Sequence, residues 1–169
     1  MQQIVLASKS PRRIELLTQL GVPFITYSPE FIEKLDKEES METASDIALY
    51  NAIGKAKEAS RHFKSSIVIG VDTVGESGGQ ILGKPKDAQD AKRLIRLISG
   101  TTHKVVSAIC VINTKSGKTL TSVAETLVEM EKMEERDIEK YIRSGEGIDK
   151  AAAYAIQGKG SLFIKKING

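Results

Sequence analysis

Gln3-Ile4-Val5-Leu6-Ala7-Ser8-Lys9-Ser10-Pro11-Arg12-Arg13-Ile14-Glu15-Leu16-Leu17 contains an abrupt change of period. Residues 3–7 form a short, mostly apolar run, the pattern of a buried strand. At Ser10-Pro11 the pattern turns helical. Serine suits the cap, and proline in a first turn loses nothing by lacking an N–H. Ile14, Leu16, Leu17 and Leu20 then place apolar groups mainly along one face, and Gly21 with Pro23 ends the helix. A strand that passes through a tight turn into a helix predicts an α/β fold.

The same alternation continues outward. Residues 23–28 read as a second strand, and Pro29 to Met41 as a charged, mobile loop. A helix is expected over 43–63, with Ile47, Leu49, Ala52, Ile53 and Ala56 as its apolar positions. Residues 66–74 read as a buried strand, Glu76-Ser77-Gly78-Gly79 as a turn, and 80–82 as a short strand. Asp87 caps a helix over 88–99. Strands follow at 103–113 and 119–130, then a helix at 134–143 and a last strand at 161–167. The expectation is one domain over residues 1–169: a mixed α/β fold with a twisted sheet, flanking helices and two lobes.

Composition narrows the function classes. The net charge is +3, which suits an anionic ligand but is too weak to argue for a nucleic-acid groove. The lone Cys110 cannot form an internal disulfide, and it reads as a buried strand residue. The first residues lack a basic segment followed by a long apolar one, so no signal peptide is expected. No apolar run is long enough to span a membrane. Together these place the protein in the cytoplasm.

Three stretches carry chemistry. In the first, the free N–H groups at the helix start attract anions. Ser8 and Ser10 add hydroxyls, and Arg12 and Arg13 add guanidinium groups suited to phosphate. The alternative is a capped helix with two solvated arginines. In the second, Asp72 interrupts an apolar strand near its C-terminal end, where open α/β sheets bind ligands. A carboxylate there can hold a divalent cation or activate water. The alternative is an aspartate satisfied by loop amides. In the third, Gly78-Gly79-Gln80-Ile81-Leu82-Gly83-Lys84 imitates a P-loop, but Pro85 stands where the magnesium-binding hydroxyl belongs. The P-loop reading is therefore rejected, while Lys84 remains a candidate phosphate contact. Lys55, on the helix at 43–63, and Gln157 are weaker candidates alone, and His62 and His103 read as structural.

In combination these motifs are recognisable. The chain resembles the Maf family of nucleotide pyrophosphatases from residue 4 to residue 169. The matching runs are LASKSPRRIELLTQLGVPF, VIGVDTV, ILGKP, LISGTTHKV and DIEKYIRSGEGIDKAAAYAIQGKGSLFIKKING, in that order. The resemblance implies a cleft between two lobes, a homodimer, a divalent metal such as Mg2+ or Mn2+, and release of pyrophosphate from a nucleoside triphosphate. It implies that Ser8, Arg12, Arg13, Lys55 and Lys84 bind phosphates, that Asp72 is the catalytic carboxylate, and that Glu33 joins it in binding metal.

Family members resembling dTTP and UTP pyrophosphatases carry Arg, Thr and Gln at three specificity positions. Here these are Arg12, Thr73 and Gln157. The branch resembling 7-methyl-GTP pyrophosphatases carries Trp, Gln and Glu instead, so this chain fits the first branch. It departs from the family at Ala152, where glycine is usual, and the family continues past Ile-Asn-Gly with a Gly-Leu-Pro segment and a helix that these 169 residues do not contain. Two rival readings stand beside this one: a non-catalytic nucleotide- or nucleic-acid-binding regulator of division or shape, and a hydrolase of nucleotides with modified bases.

Overall fold

A computed structural model describes residues 2–35 and 43–169. In chain order the elements are β1 (Gln3–Ala7), α1 (Pro11–Gln19), β2 (Phe24–Tyr27), α2 (Ala44–Ser60), β3 (Ser66–Ser77), β4 (Gln80–Leu82), α3 (Ala88–Ile98), β5 (Thr102–Asn113), β6 (Thr119–Met130), α4 (Glu135–Arg143) and β7 (Ile164–Asn168). The seven strands form one sheet in the order β2-β1-β3-β5-β6-β7, with β4 paired to β3. The mixed α/β class expected from the sequence is thus observed. Contacts divide the chain into two compact units.

The first unit takes the described residues up to Lys34, with Ser45–Asp72 and Ser107–Val123. Here β1 pairs in parallel with both β2 and β3, Val5 lying opposite Ile25 and Val68. Helix α2 buries Ile47, Ala48, Asn51, Ala52, Lys55, Ala56 and Ala59. That face is built mostly of alanine, and the reason lies on β3. A Cβ added to Gly70 would sit 2.3 Å from the Ala52 carbonyl oxygen and 2.7 Å from the Ala56 nitrogen. Small residues on both sides therefore let α2 and β3 approach backbone to backbone. Cys110 is fully buried in this unit, and burial pushes its thiol pKa up, as befits an inert core residue. His62 pairs with Glu58 at 3.0 Å and packs on Tyr27.

The second unit holds Thr73–Val106 and Ala124–Gly169, with Leu35, Thr43 and Ala44. Its core gathers Leu94, Ile95 and Ile98 of α3, Val128 and Met130 of β6, and Ile138 and Tyr141 of α4. Asp87 caps α3 by accepting the Asp90 N–H at 2.8 Å. Gly78 and Gly79, at φ 56° and 80°, turn β3 back into β4. The glycine pair thus closes a hairpin instead of opening a phosphate loop. His103 is buried against the Tyr154 hydroxyl at 2.7 Å, and burial lowers its pKa to about 4, so it is neutral at pH 7.

Several expectations need correction. Helix α2 stops at Ser60, short of residue 63, because the chain must turn through Ser65 at φ 57° to enter β3. Strand β3 runs on to Ser77, since its hairpin with β4 supplies ladder partners, so Asp72 lies mid-strand and not, as expected, near the C-terminal end. Residues 159–163 form a 3-10 turn, so the last strand starts only at Ile164. Residues 29–35 are neither helix nor strand, and the rest of the expected loop, 36–41, lies outside the described residues. The apolar side of α1 is not a core face, for Leu16 is 55% and Leu20 is 72% exposed.

The close approach of α2 to β3 is testable. Gly70→Ala should lower unfolding stability by about 1–3 kcal/mol, the cost of an overpacked core. Denaturant unfolding measures this, and an unchanged midpoint would mean that the two backbones are not held in contact there.

Candidate active site

The polar cluster of the first unit is assembled by four pieces of chain: the β1–α1 turn, residues 33–34, α2 and the middle of β3. Asp72 and Lys55 are each 6% exposed, and Lys55 Nζ donates to Asp72 Oδ1 at 2.6 Å. Lys55 also meets Glu33 Oε1 at 2.6 Å and points at the Val71 carbonyl at 3.5 Å. The second oxygen of Asp72 accepts from the Asn51 side-chain amide at 3.0 Å. Asn51 in turn donates to the Lys34 carbonyl and accepts the Lys34 N–H, each at 2.9 Å. One amide therefore orients the carboxylate and pins the segment that carries Glu33.

The β1–α1 turn contributes a different chemistry. Ser10 occupies the N-cap position of α1, but its side chain makes no capping bond. This corrects the expectation that Ser10 caps. The buried Ser8 hydroxyl instead accepts from the Ser10 N–H at 3.2 Å and from Arg13 Nη1 at 3.3 Å. Arg12 is exposed and Arg13 half-buried. Burial lowers the pKa of the Arg13 guanidinium, opposed by the charges of Asp72 and Glu33, which raise it. The guanidinium stays a cation regardless, because arginine does not deprotonate in proteins.

Of the residues singled out from the sequence, Ser8, Arg12, Arg13, Glu33, Lys55 and Asp72 belong to this first unit. Lys55 is not a solvated lysine. It lies at the centre of the acid cluster. Thr73, Lys84 and Gln157 belong to the second unit, where Thr73 is half-buried on β3, Lys84 is exposed after β4, and Gln157 is exposed. Near Gln157, Ala152 adopts φ 55° and Ala153 φ 59°, the left-handed region that favours glycine. The Ala152 N–H is held by the Gly83 carbonyl at 3.1 Å. Asn51 was missed. Its signal was present, since it sits four residues before Lys55 on an otherwise alanine-rich helix face.

A helix start that bears Arg12 and Arg13 and a buried, cation-paired carboxylate lie in the same unit, groups whose charges suit phosphate chemistry. The sequence supplies the family: the profile described as Maf-like protein matches residues 3–169, and the chain belongs to the Maf family. A dTTP/UTP pyrophosphatase of Dictyoglomus turgidum is 42% identical over 168 residues, covering 99% of this chain and 86% of its own. One from Alkaliphilus oremlandii is 44% identical over 170 residues, covering 100% and 86% respectively. In fold, the chain is similar to the Staphylococcus aureus Ham1 protein, with a TM-score of 0.51 at 20% identity over 96% of this chain and 93% of that one.

Asn51→Ala should cost about 2–4 kcal/mol of stability, because it strands a buried carboxylate oxygen and both Lys34 backbone groups. Thermal and denaturant unfolding of the purified variant check this. Wild-type stability would mean that the amide does not hold the cluster.

Proposed function

We infer that this chain hydrolyses nucleoside triphosphates, dTTP and UTP first among them, to the nucleoside monophosphate and pyrophosphate. The observation that carries this reading is Asp72, a buried carboxylate held by Lys55 and Asn51, in the unit that carries an arginine-bearing helix start. Relatives at 42% and 44% identity named for this activity support the choice of substrate.

The charges favour a divalent cation. Arg13 and Lys55 are balanced by Glu33 and Asp72, which leaves Arg12 as the one surplus positive charge among these five groups against a triphosphate. The donor set fits a hard cation: carboxylates of Glu33 and Asp72 converge on one point, where the Lys55 ammonium now lies. Mg2+ is commonly held by one or two carboxylates, its other places filled by water and substrate phosphates. Glu33 and Asp72 would hold such a cation, and it would neutralise the phosphate oxygens. Arg12, Arg13, Ser8 and Lys84 would then bind and align the triphosphate, Lys55 would contact the phosphates, and Asp72 would accept a proton from the attacking water. Attack at the α-phosphorus releases pyrophosphate.

The base is read by Gln157, aided by Thr73 and Arg12. A pyrimidine with a C4 carbonyl and an N3–H offers an acceptor beside a donor, and a glutamine amide matches both. Among the described residues no helix is long and apolar enough to cross a membrane. We place the protein in the cytoplasm, as the lone buried Cys110 supports, and assign it a homodimeric state, for which the uncovered leucines of α1 speak.

The reading predicts specificity constants for dTTP and UTP roughly tenfold to a hundredfold above those for CTP, GTP and 7-methyl-GTP, the worth of one unpaired polar group. A triphosphate panel assayed for pyrophosphate and orthophosphate, with and without chelator, decides it. A preference for 7-methyl-GTP, or release of orthophosphate, would overturn the assignment.

A further inference from the structure

Gln157 is exposed, and exposed glutamines ordinarily sample many rotamers and backbone positions. A base-reading amide needs a fixed backbone beneath it. The backbone that follows it, at Lys159 and Gly160, is held by a carboxylate eleven residues before Gln157. Glu146, just after α4, accepts the Lys159 N–H on Oε2 at 2.8 Å and the Gly160 N–H on Oε1 at 2.9 Å. The Tyr141 hydroxyl, from the core face of α4, donates to the same Oε1 at 3.2 Å. The carboxylate thus ties the start of the 3-10 turn at Lys159–Phe163 to the helix.

Gly158 closes the contact. It adopts φ 104°, and a Cβ there would stand 2.7 Å from Glu146 Oε2. Only glycine lets the chain pass so close to the carboxylate in that conformation. Ser161 then returns both its N–H, at 3.2 Å, and its hydroxyl, at 2.6 Å, to the Gly158 carbonyl. Lys150 adds a bond from its ammonium to the Glu146 carbonyl at 2.5 Å. Burial pushes the Glu146 carboxyl up, but the Lys159 and Gly160 N–H groups, Tyr141 and the Lys150 charge outweigh it and hold the pKa below the ordinary value. The carboxylate is therefore charged at neutral pH, and its hydrogen bonds are of the stronger, charge-assisted kind.

We propose that Glu146 is a positioning residue for base selection: its three hydrogen bonds fix the Gly158–Gly160 backbone and so the place from which Gln157 reads the pyrimidine. Glu146 does not touch the nucleotide. It acts through Gln157, and this role rests on the base-reading assignment made above for that residue.

The test is a double-mutant cycle on the ratio of specificity constants for dTTP and CTP, using Glu146→Gln, Gln157→Ala and the pair. Glu146→Gln keeps the shape but turns one acceptor oxygen into an NH2 that faces a backbone N–H. The ratio should fall roughly tenfold, through dTTP more than CTP, the effect of one misplaced hydrogen bond. In the Gln157→Ala background the same change should leave the ratio unaltered. A purely structural role would lower both substrates alike, or act equally in both backgrounds, and either result overturns the proposal. If Gln157→Ala itself leaves the wild-type ratio intact, the base-reading assignment has failed and the proposal falls with it. Tyr141→Phe, which removes one donor, should lower the ratio about threefold and carries the same test if Glu146→Gln does not fold. An unchanged ratio in a folded Tyr141→Phe, with Glu146→Gln unfolded, would likewise overturn it.

Discussion

The bond between Lys55 and Asp72 is the interaction on which the site depends. Two charges withdrawn from water cost several kcal/mol each, and a lone buried ion pair seldom recovers that in full. Here each partner of the pair has a further contact. Asn51 takes the second oxygen of Asp72, and Glu33 takes a second contact from Lys55. With both oxygens of Asp72 held and the Lys55 ammonium shared between two acids, the cluster fixes the place of both carboxylates. The fold keeps an acid ready where substitution by apolar residues would give an easier core.

That geometry is set by packing well away from the charges. Lys55 and Asn51 ride on α2, Asp72 on β3, and the distance between helix and strand fixes whether they meet. Alanines at 52 and 56 against Gly70 bring the backbones into contact. A larger side chain at any of these three positions would push the helix outward and lengthen a 2.6 Å ion pair. The alanine-rich core is thus a positioning device as well as a source of burial. The loop of the second unit that carries Gln157 uses the other available strategy, a carboxylate that collects backbone N–H groups.

Much of this was legible in the sequence. The run from Gln3 to Leu17 gave the strand, the turn and the helix because its period changes at one proline. Asp72 stood out because a charge within Ile-Val-Ile-Gly-Val demands a partner. The partner was less legible: Lys55 and Asn51 show only as polar residues on a small-residue face, a pattern shared with many solvated helices. Ser8 and Ser10 are both hydroxyl residues near a helix start, and only the path of the turn decides which one accepts the N–H. Ala152 at φ 55° is illegible in a different way, because alanine carries no sign of the left-handed backbone that its surroundings impose.

In the proposed reaction water attacks the α-phosphorus with Asp72 as the proton acceptor. Hydrolysis of dTTP in oxygen-18 water, with mass spectrometry of both products, examines that step directly. The label should enter dTMP and leave pyrophosphate unlabelled, and Asp72→Asn should slow its incorporation by roughly a hundredfold or more while the fold persists. Label in pyrophosphate, or undiminished incorporation by a folded Asp72→Asn, would contradict it.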